Sequence, residues 1–226
     1  MRAVIIMAAA MAACRFDAGE GATRFRCQGT SDCPAGLVCS AGWCAAEPEP
    51  VDGATGGASD AADPACPCSL WDDDTVPDQL DNNDGSSIEV AVKFRAAVAG
   101  NLIALRFYKP VLSDGIHIGR VWSPGGALLG EAQYRDETDS GWQEVALDQP
   151  VAVQPDTTYI ASVYIDSGYY AADVKYFLTA YDRPPLRALA DDEDGPNGVF
   201  VLGEGFPGAG YFMATNYWVD VVFDDG

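Results

Sequence analysis

Two cysteines separated by a single proline, Cys66 and Cys68 in the stretch ACPCSLW, are the first residues whose type and spacing suggest chemistry. Two thiols this close can hold a metal ion, carry out a redox reaction or close a disulfide. The choice depends on the redox compartment and on the other cysteines. The chain that follows Cys68 contains no cysteine, so any other partner lies upstream.

The first residues of the chain have the features of an export signal. Arg2 precedes an uncharged apolar run from Ala3 to Ala13. This run is too short to cross a bilayer as a helix, which takes about 20 residues, and it predicts a signal peptide over residues 1–13. The next stretch, MAAC, resembles the lipobox of bacterial lipoproteins, which implies cleavage before Cys14 and lipidation of Cys14.

We therefore expect an exported lipoprotein of the outer membrane or cell surface, held to the membrane only by its lipid. The alternative is an ordinary signal peptide and a secreted or periplasmic protein. The net charge of −21 at pH 7 repels nucleic-acid phosphates. Nucleic acid is therefore not an expected partner.

The cysteine count supports this view. There are 7 cysteines, and acylation of Cys14 would leave an even number for disulfides. A short module over residues 27–44 has the spacing C-x5-C-x5-C-x4-C and is too small to bury a core of its own. We expect disulfides there with the connectivity open; zinc is the less favoured alternative, because the usual C-x2–4-C spacing is missing. The cysteines concerned are Cys27, Cys33, Cys39 and Cys44.

Cys66 and Cys68 are then left to pair with each other. We expect this pair to be a local clip at the start of the C-terminal domain, with a redox role as the alternative. Upstream of it, residues 14–26 are expected to form a tether. Residues 45–65 form an acidic linker rich in Ala, Gly and Pro, which lacks the apolar surface needed to fold.

Residues 66–226 show the period-two alternation of half-buried strands. In SIEVAVKF, for example, Ile88, Val90, Val92 and Phe94 share one face. Similar alternation in LIALRFY predicts that Ile103, Leu105 and Phe107 face the core. Turn sequences separate the strands, and no amphipathic helix is evident. The pattern predicts an all-β fold, an antiparallel β-sandwich of jelly-roll or immunoglobulin-like type.

Several stretches of the same region resemble one bacterial family, DUF4082. They include CPCSLW, EVAVKF, ALRFYK, GIHIGRVWSPGGALLG, QPVAVQPDTTYIASVY and NYWVDVVF, in matching order over about residues 66–226. The resemblance implies an accessory extracellular β-domain. Because the family has no assigned activity, the resemblance supplies no mechanism.

The sequence does not predict an enzyme. His117 is the single histidine, and no G-x-S-x-G nucleophile elbow is present. We expect His117 to be a hydrogen-bonded structural residue. A glycan hydrolase using a pair of carboxylates is the less favoured alternative.

Aromatic residues that alternate away from the core are candidates for stacking on sugar rings. Parity places Trp142, Tyr108, Tyr164, Trp218 and Asp220 on outward faces. Trp122 and Tyr170 lie near predicted loops. The alternative is that loops or neighbouring strands cover these rings. The candidate ligand-binding residues are Trp142, Trp218, Tyr164, Tyr108, Trp122 and Tyr170.

Two acidic, turn-rich stretches are candidates for a structural calcium site, although neither fits the EF-hand loop. The alternative is solvated loops. The candidate ligands are Asp81, Asn83, Asp84, Asp192 and Asp194.

From the sequence we expect a non-catalytic extracellular binding module for carbohydrate or another polymer. The alternative is a structural or adhesive domain that binds a surface protein.

Overall fold

The computed structural model describes Cys33, residues 37–40 and 43–46, residues 66–208 and residues 210–226. The chain divides into two units, residues 1–58 and 59–226, and each is described by itself. The predicted signal peptide, Cys14, Cys27 and residues 47–65 of the predicted linker lie outside the described residues.

In the first unit, β1 (Leu37–Ser40) pairs antiparallel with β2 (Trp43–Ala46). Cys33 and Cys44 form a disulfide. This disulfide assigns one of the cysteine pairings that the sequence left open.

In the described residues of the second unit, the regular secondary structure consists of antiparallel strands and one 3-10 turn at Tyr176–Leu178. The strands are β3 (Asn82–Asn83), β4 (Ile88–Ala96), β5 (Gly100–Lys109), β6 (His117–Trp122), β7 (Leu128–Gln133), β8 (Gly141–Val153), β9 (Tyr159–Ile165), β10 (Tyr169–Tyr170), β11 (Tyr181–Arg183), β12 (Leu186–Ala188), β13 (Val199–Leu202), β14 (Gly210–Tyr211) and β15 (Val219–Asp224).

The strands form a large and a small sheet that enclose one core. The large sheet has the order β11-β12-β4-β9-β6-β7, and β13 also pairs with β4 and carries β14. The small sheet has the order β15-β5-β8, and β10 with β3 forms a separate two-stranded ribbon. The predicted antiparallel β-sandwich is confirmed.

The core lies between the two sheets and follows the predicted alternation. Val90, Val92 and Phe94 of β4 are buried together with Val221 and Phe223 of β15 in one apolar cluster. This burial is the main stabilising term, at about 1.5–3 kcal/mol for each large apolar side chain.

The predicted parity is wrong at the start of β5. A register shift between Leu102 and Ala104 interrupts its pairing with β8. Such a bulge turns the following side chains to the opposite face. As a result Leu102 enters the core with Leu105, and Ile103 is only partly buried.

The segment at the start of the second unit is fixed to its last strand. Cys66 and Cys68 form a disulfide with each other, as predicted. The backbones of Cys68 and Phe223 exchange two hydrogen bonds, each 2.8 Å long. The clip therefore lies beside the end of β15. In the part of the chain that the structure describes, no helix has the length and apolar character needed to span a membrane.

Candidate functional site

The outward face of the large sheet carries an ionic network, called here the Arg120 network, made of Glu89, Arg120, Glu131, Ser162 and Glu204. Arg120 Nη1 donates to Glu89 Oε2 at 2.8 Å, and its Nε donates to Glu131 Oε2 at 2.6 Å. Its Nη2 donates to Glu204. Ser162 Oγ donates to Glu89 Oε1 at 2.6 Å. One guanidinium thus binds three carboxylates.

Strand register brings these side chains together. Arg120 of β6 lies opposite Ser162 of β9 on one side and Glu131 of β7 on the other. Glu89 comes from β4, the next strand beyond β9. All four point away from the sandwich core because residues of one parity share a face of a sheet. Sequence alternation places Glu89 outward, but it does not reveal that Glu89 is fully buried.

The cover over Glu89 is a loop, residues 203–208, called the 203–208 loop. Gly205 N donates to Glu89 Oε2 at 2.9 Å. The Phe206 ring meets Trp122 edge-on, with centroids 5.6 Å apart. Trp122 Nε1 donates in turn to Ser162 Oγ at 2.8 Å. The prediction that Trp122 is open to a ligand is wrong, since it is 8% exposed.

Burial dominates the electrostatics of Glu89. It raises the pKa of this carboxyl, while the hydrogen bonds from Ser162 and Gly205 and the charge of Arg120 oppose the rise. Losing the positive charge would leave an uncompensated buried carboxylate, which is costly. Arg120 therefore holds the face together.

The reachable part of this face is called the binding rim and comprises Glu131, Glu204, Tyr164, Ile118 and Gln133. The Glu131 and Glu204 side chains are 46% and 56% exposed. Tyr164 and Ile118 are partly buried and lie opposite each other, and Ile118 lies opposite Gln133. The rim combines carboxylate and amide acceptors with an aromatic ring and an aliphatic side chain.

The predicted outward aromatics Trp142 and Trp218 lie elsewhere, on the outward face of the small sheet. Their ring centroids are 6.3 Å apart, and Trp71 packs against both. These three residues are called the tryptophan cluster. Trp71 Nε1 donates to the Tyr176 hydroxyl at 2.9 Å, and Trp142 Nε1 donates to the Thr75 carbonyl at 2.9 Å.

The cluster is an accessory core and not an open groove. Trp218 is 3% exposed and Trp71 is 1% exposed. Parity places Trp218 on the correct face, but Trp218 is not reachable, because the chain before β3 and the 3-10 turn cover that face of the sheet. Trp142 and Tyr108 are partly buried and contact each other at 5.6 Å between centroids.

Beneath the tryptophan cluster, Asp220 holds the covering segment in place. Its carboxylate accepts hydrogen bonds from Leu70 N at 2.8 Å and Trp71 N at 3.2 Å, and it lies 3.7 Å from Arg106 Nη1. Arg106 also pairs with Asp73 at 2.7 Å and lies over the Trp142 ring, 4.8 Å from its centroid. Parity places Asp220 on an outward face, yet Asp220 is fully buried beneath the covering segment.

Asp220 makes stability depend on pH. Burial raises its pKa to about 6, against the lowering effects of Arg106 and the backbone hydrogen bonds. Because the unfolded carboxyl titrates near 3.9, the folded state holds a proton between about pH 4 and 6 that the unfolded state releases. The contribution of Asp220 to stability therefore falls as the pH rises through this window.

We expect the difference in unfolding free energy between the wild type and Asp220→Asn to grow in favour of the wild type from pH 7.5 to 5. Urea titrations at both pH values measure it. Every other ionisable side chain is present in both proteins, so its contribution cancels in the difference. A difference that does not change with pH would contradict the prediction.

The remaining predicted residues lie apart from both faces. Tyr170 is partly buried against Tyr217, at 5.6 Å between centroids, and its hydroxyl donates to Asp84 at 3.0 Å. Asp194 accepts from Arg95 at 3.3 Å and from Thr158, and these contacts lower its pKa.

The calcium hypothesis gains no support from these positions. A guanidinium already neutralises Asp194, and Asp81, Asn83, Asp84 and Asp192 are exposed. Across the described residues, no three His, Cys, Asp or Glu side chains come together as a potential metal site.

The sequence model of the family described as domain of unknown function (DUF4082) matches residues 74–219. The chain belongs to this family. The match covers every strand of the DUF4082 domain from β3 to β14 and the first residue of β15. No curated protein matches the sequence significantly. The whole Arg120 network lies within the matched residues, as do Trp142 and Trp218 of the tryptophan cluster, whereas Trp71 lies just before them.

Proposed function

We propose that the DUF4082 domain is a binding module for an extracellular polymer, specifically a polysaccharide, and that the binding rim is its contact surface. The observation that carries the proposal is the pair of exposed carboxylates, Glu131 and Glu204, held by one buried guanidinium beside Tyr164.

The rim has the chemistry that sugars require. Carboxylate oxygens accept hydrogen bonds from neighbouring hydroxyls, and a tyrosine ring covers the apolar face of a pyranose. Because Arg120 fixes both carboxylates before a ligand arrives, less conformational entropy is lost on binding. The proposed role of this face is recognition alone: the carboxylates converge on Arg120 and do not face each other across an open cleft.

A glycan array probed with the purified protein, with and without Ca²⁺, tests the proposal. We expect binding to at least one polysaccharide, weakened about tenfold by Tyr164→Ala, which corresponds to about 1.4 kcal/mol. Glu131→Gln should weaken binding in the same direction because it removes a charged acceptor.

Two exposed residues away from the rim provide matched controls. Tyr211→Ala and Glu144→Gln remove the same groups elsewhere and should leave the affinity unchanged. A folded protein that binds no glycan, or whose binding neither rim variant alters, would refute the proposal.

One observation favours a protein partner as a second candidate function. An apolar patch is formed where residues 174–178 and 211–213 run side by side, joined by a hydrogen bond from Lys175 N to Met213 O at 2.8 Å. Patches of this kind often mark interaction sites. Its exposed members are Val174, Leu178, Tyr211, Phe212 and Met213. Loss of a protein partner on Phe212→Ser, with glycan binding unchanged, would identify this patch as a separate site.

A further inference from the structure

A serine, a histidine and a glutamate form a hydrogen-bonded relay at one end of the sandwich, away from the binding rim. Ser113 Oγ lies 3.0 Å from His117 Nε2. Both carboxylate oxygens of Glu137 lie 2.9 Å from His117 Nδ1. The hydroxyl and the carboxylate thus engage the two different ring nitrogens, which is the arrangement of a serine hydrolase triad.

Three separate elements supply the relay. Ser113 lies in the loop between β5 and β6, His117 is the first residue of β6, and Glu137 lies in the loop between β7 and β8. The His117 ring packs on Phe107, with centroids 4.9 Å apart. Lys109 Nζ binds Glu137 Oε2 at 3.0 Å. Phe107 therefore packs against the imidazole ring, and Lys109 fixes the carboxylate that orients it.

The electrostatics suit a general base. A carboxylate can only accept, so Nδ1 carries the hydrogen and Nε2 is left to accept the serine proton. Burial lowers the pKa of His117, while Glu137 opposes this effect. The ring is accordingly neutral near pH 7 and able to take up a proton.

The relay consists of buried polar groups. Burying a chain of polar groups costs free energy that apolar side chains of similar volume would not. Ser113 and His117 are almost completely buried. A catalytic role would explain why the folded protein keeps these polar groups buried despite their free-energy cost.

The loop that carries Ser113 is itself unusual. Residues 110–116, called the 110–116 loop, place three large apolar side chains in solvent: Val111 is 65% exposed, Leu112 is 49% exposed and Ile116 is 48% exposed. Gly115 turns the loop with a φ of 98°, which suits glycine. Exposed apolar groups of this size favour transfer into an amphiphilic phase.

We propose that Ser113, His117 and Glu137 form a catalytic triad that hydrolyses esters of apolar acyl groups. We further propose that the side chains of Val111, Leu112 and Ile116 enter an amphiphilic interface and give the ester access to Ser113 while Ser113 stays hydrogen-bonded to His117. This reaction goes beyond the proposed polysaccharide binding and uses none of the rim residues.

The reaction is an acyl transfer to Ser113 followed by hydrolysis of the acyl-serine. Ser113 Oγ bonds to the ester carbonyl carbon and passes its proton to His117 Nε2. The bond to the alcohol oxygen breaks, and the alcohol leaves with that proton. Water then attacks the acyl-serine, His117 takes the water proton and returns it to Ser113, and the carboxylic acid is released. Glu137 holds the imidazolium throughout.

Labelling of the full-length protein with a fluorophosphonate tests the nucleophile directly, because it uses the unmodified protein. In the presence of detergent micelles we expect a phosphonyl adduct on Ser113, located by peptide mass spectrometry, to form at least tenfold faster than in buffer. Ser113→Ala should take up no label at that peptide. Ser123→Ala, in a different loop, should label like the wild type.

Hydrolysis of p-nitrophenyl butyrate in micelles tests turnover. We expect His117→Gln and Glu137→Gln to lower kcat/KM by about 10²–10⁴-fold, with circular dichroism confirming the fold. Leu112→Ser should reduce the stimulation by detergent. The proposal is overturned if the folded protein gains no adduct on Ser113 in either condition, or if Ser113→Ala hydrolyses the ester at the wild-type rate.

Discussion

Replacement of Asp220 by alanine is expected to destabilise the domain by about 3–5 kcal/mol. The substitution leaves the backbone N–H groups of Leu70 and Trp71 without their acceptor, and each unsatisfied buried donor costs about 1–3 kcal/mol. It also removes the buried partner of Arg106, 3.7 Å away. Urea denaturation followed by tryptophan fluorescence measures the loss and reports on the tryptophan cluster as well.

Asp225→Ala is the matched control, because Asp225 is an exposed carboxylate close to the same strand. It should change the free energy of unfolding by less than about 0.5 kcal/mol. If Asp220→Ala unfolds at the same urea concentration as Asp225→Ala, then Asp220 does not hold the covering segment.

Replacement of Arg120 by alanine is expected to cost a similar amount, about 3–5 kcal/mol, on the other face of the molecule. Glu89 would remain fully buried without a cation. Glu131 and Glu204 would lose the group that holds them together. Thermal unfolding followed by circular dichroism measures the effect.

A double-mutant test separates the buried charge from other causes. Adding Glu89→Gln to Arg120→Ala should recover part of the lost stability, because it removes the uncompensated carboxylate. Arg135→Ala, at an exposed arginine, should be neutral. Additive losses in the double variant would show that the Arg120–Glu89 pair does not account for the effect.

The fold could be predicted because apolar and polar residues alternate along its strands. Ile88, Val90, Val92 and Phe94 are buried on one face of β4 as the sequence indicates. The bulge after Leu102 was not predictable, since an inserted residue leaves no signal in the run of four apolar residues, LIAL, in which it lies. Parity gives the face of a residue correctly wherever pairing is regular.

Parity does not give exposure, and for this reason two of the six predicted ligand-binding aromatics, Trp122 and Trp218, are buried in the structure. Trp218 and Asp220 do lie on an outward face, but a segment distant in sequence covers them. The sequence around Trp218 gives no indication that Trp71 packs against it. Covering segments are tertiary information that a local pattern cannot contain.

The candidate sites themselves were missed for the same reason. Arg120 and Trp122 alternate with the inward-facing Gly119 and Val121, so the outward face of β6 could have been identified. Glu204 and Glu137 reach their partners from loops whose sequences have no period. Ser113 precedes His117 by four residues, and this short spacing was the one local signal of the relay.

The pairing of Cys68 with Phe223 places the first and last parts of the sandwich side by side. Because the backbone enters and leaves the sandwich at adjacent points, the two ends of the domain need almost no connecting length to meet. A domain with this property can be inserted into a surface loop of another protein, or repeated along a chain, without re-pairing its sheets. The reason is that its first described segment and its last strand meet at one edge of the sandwich.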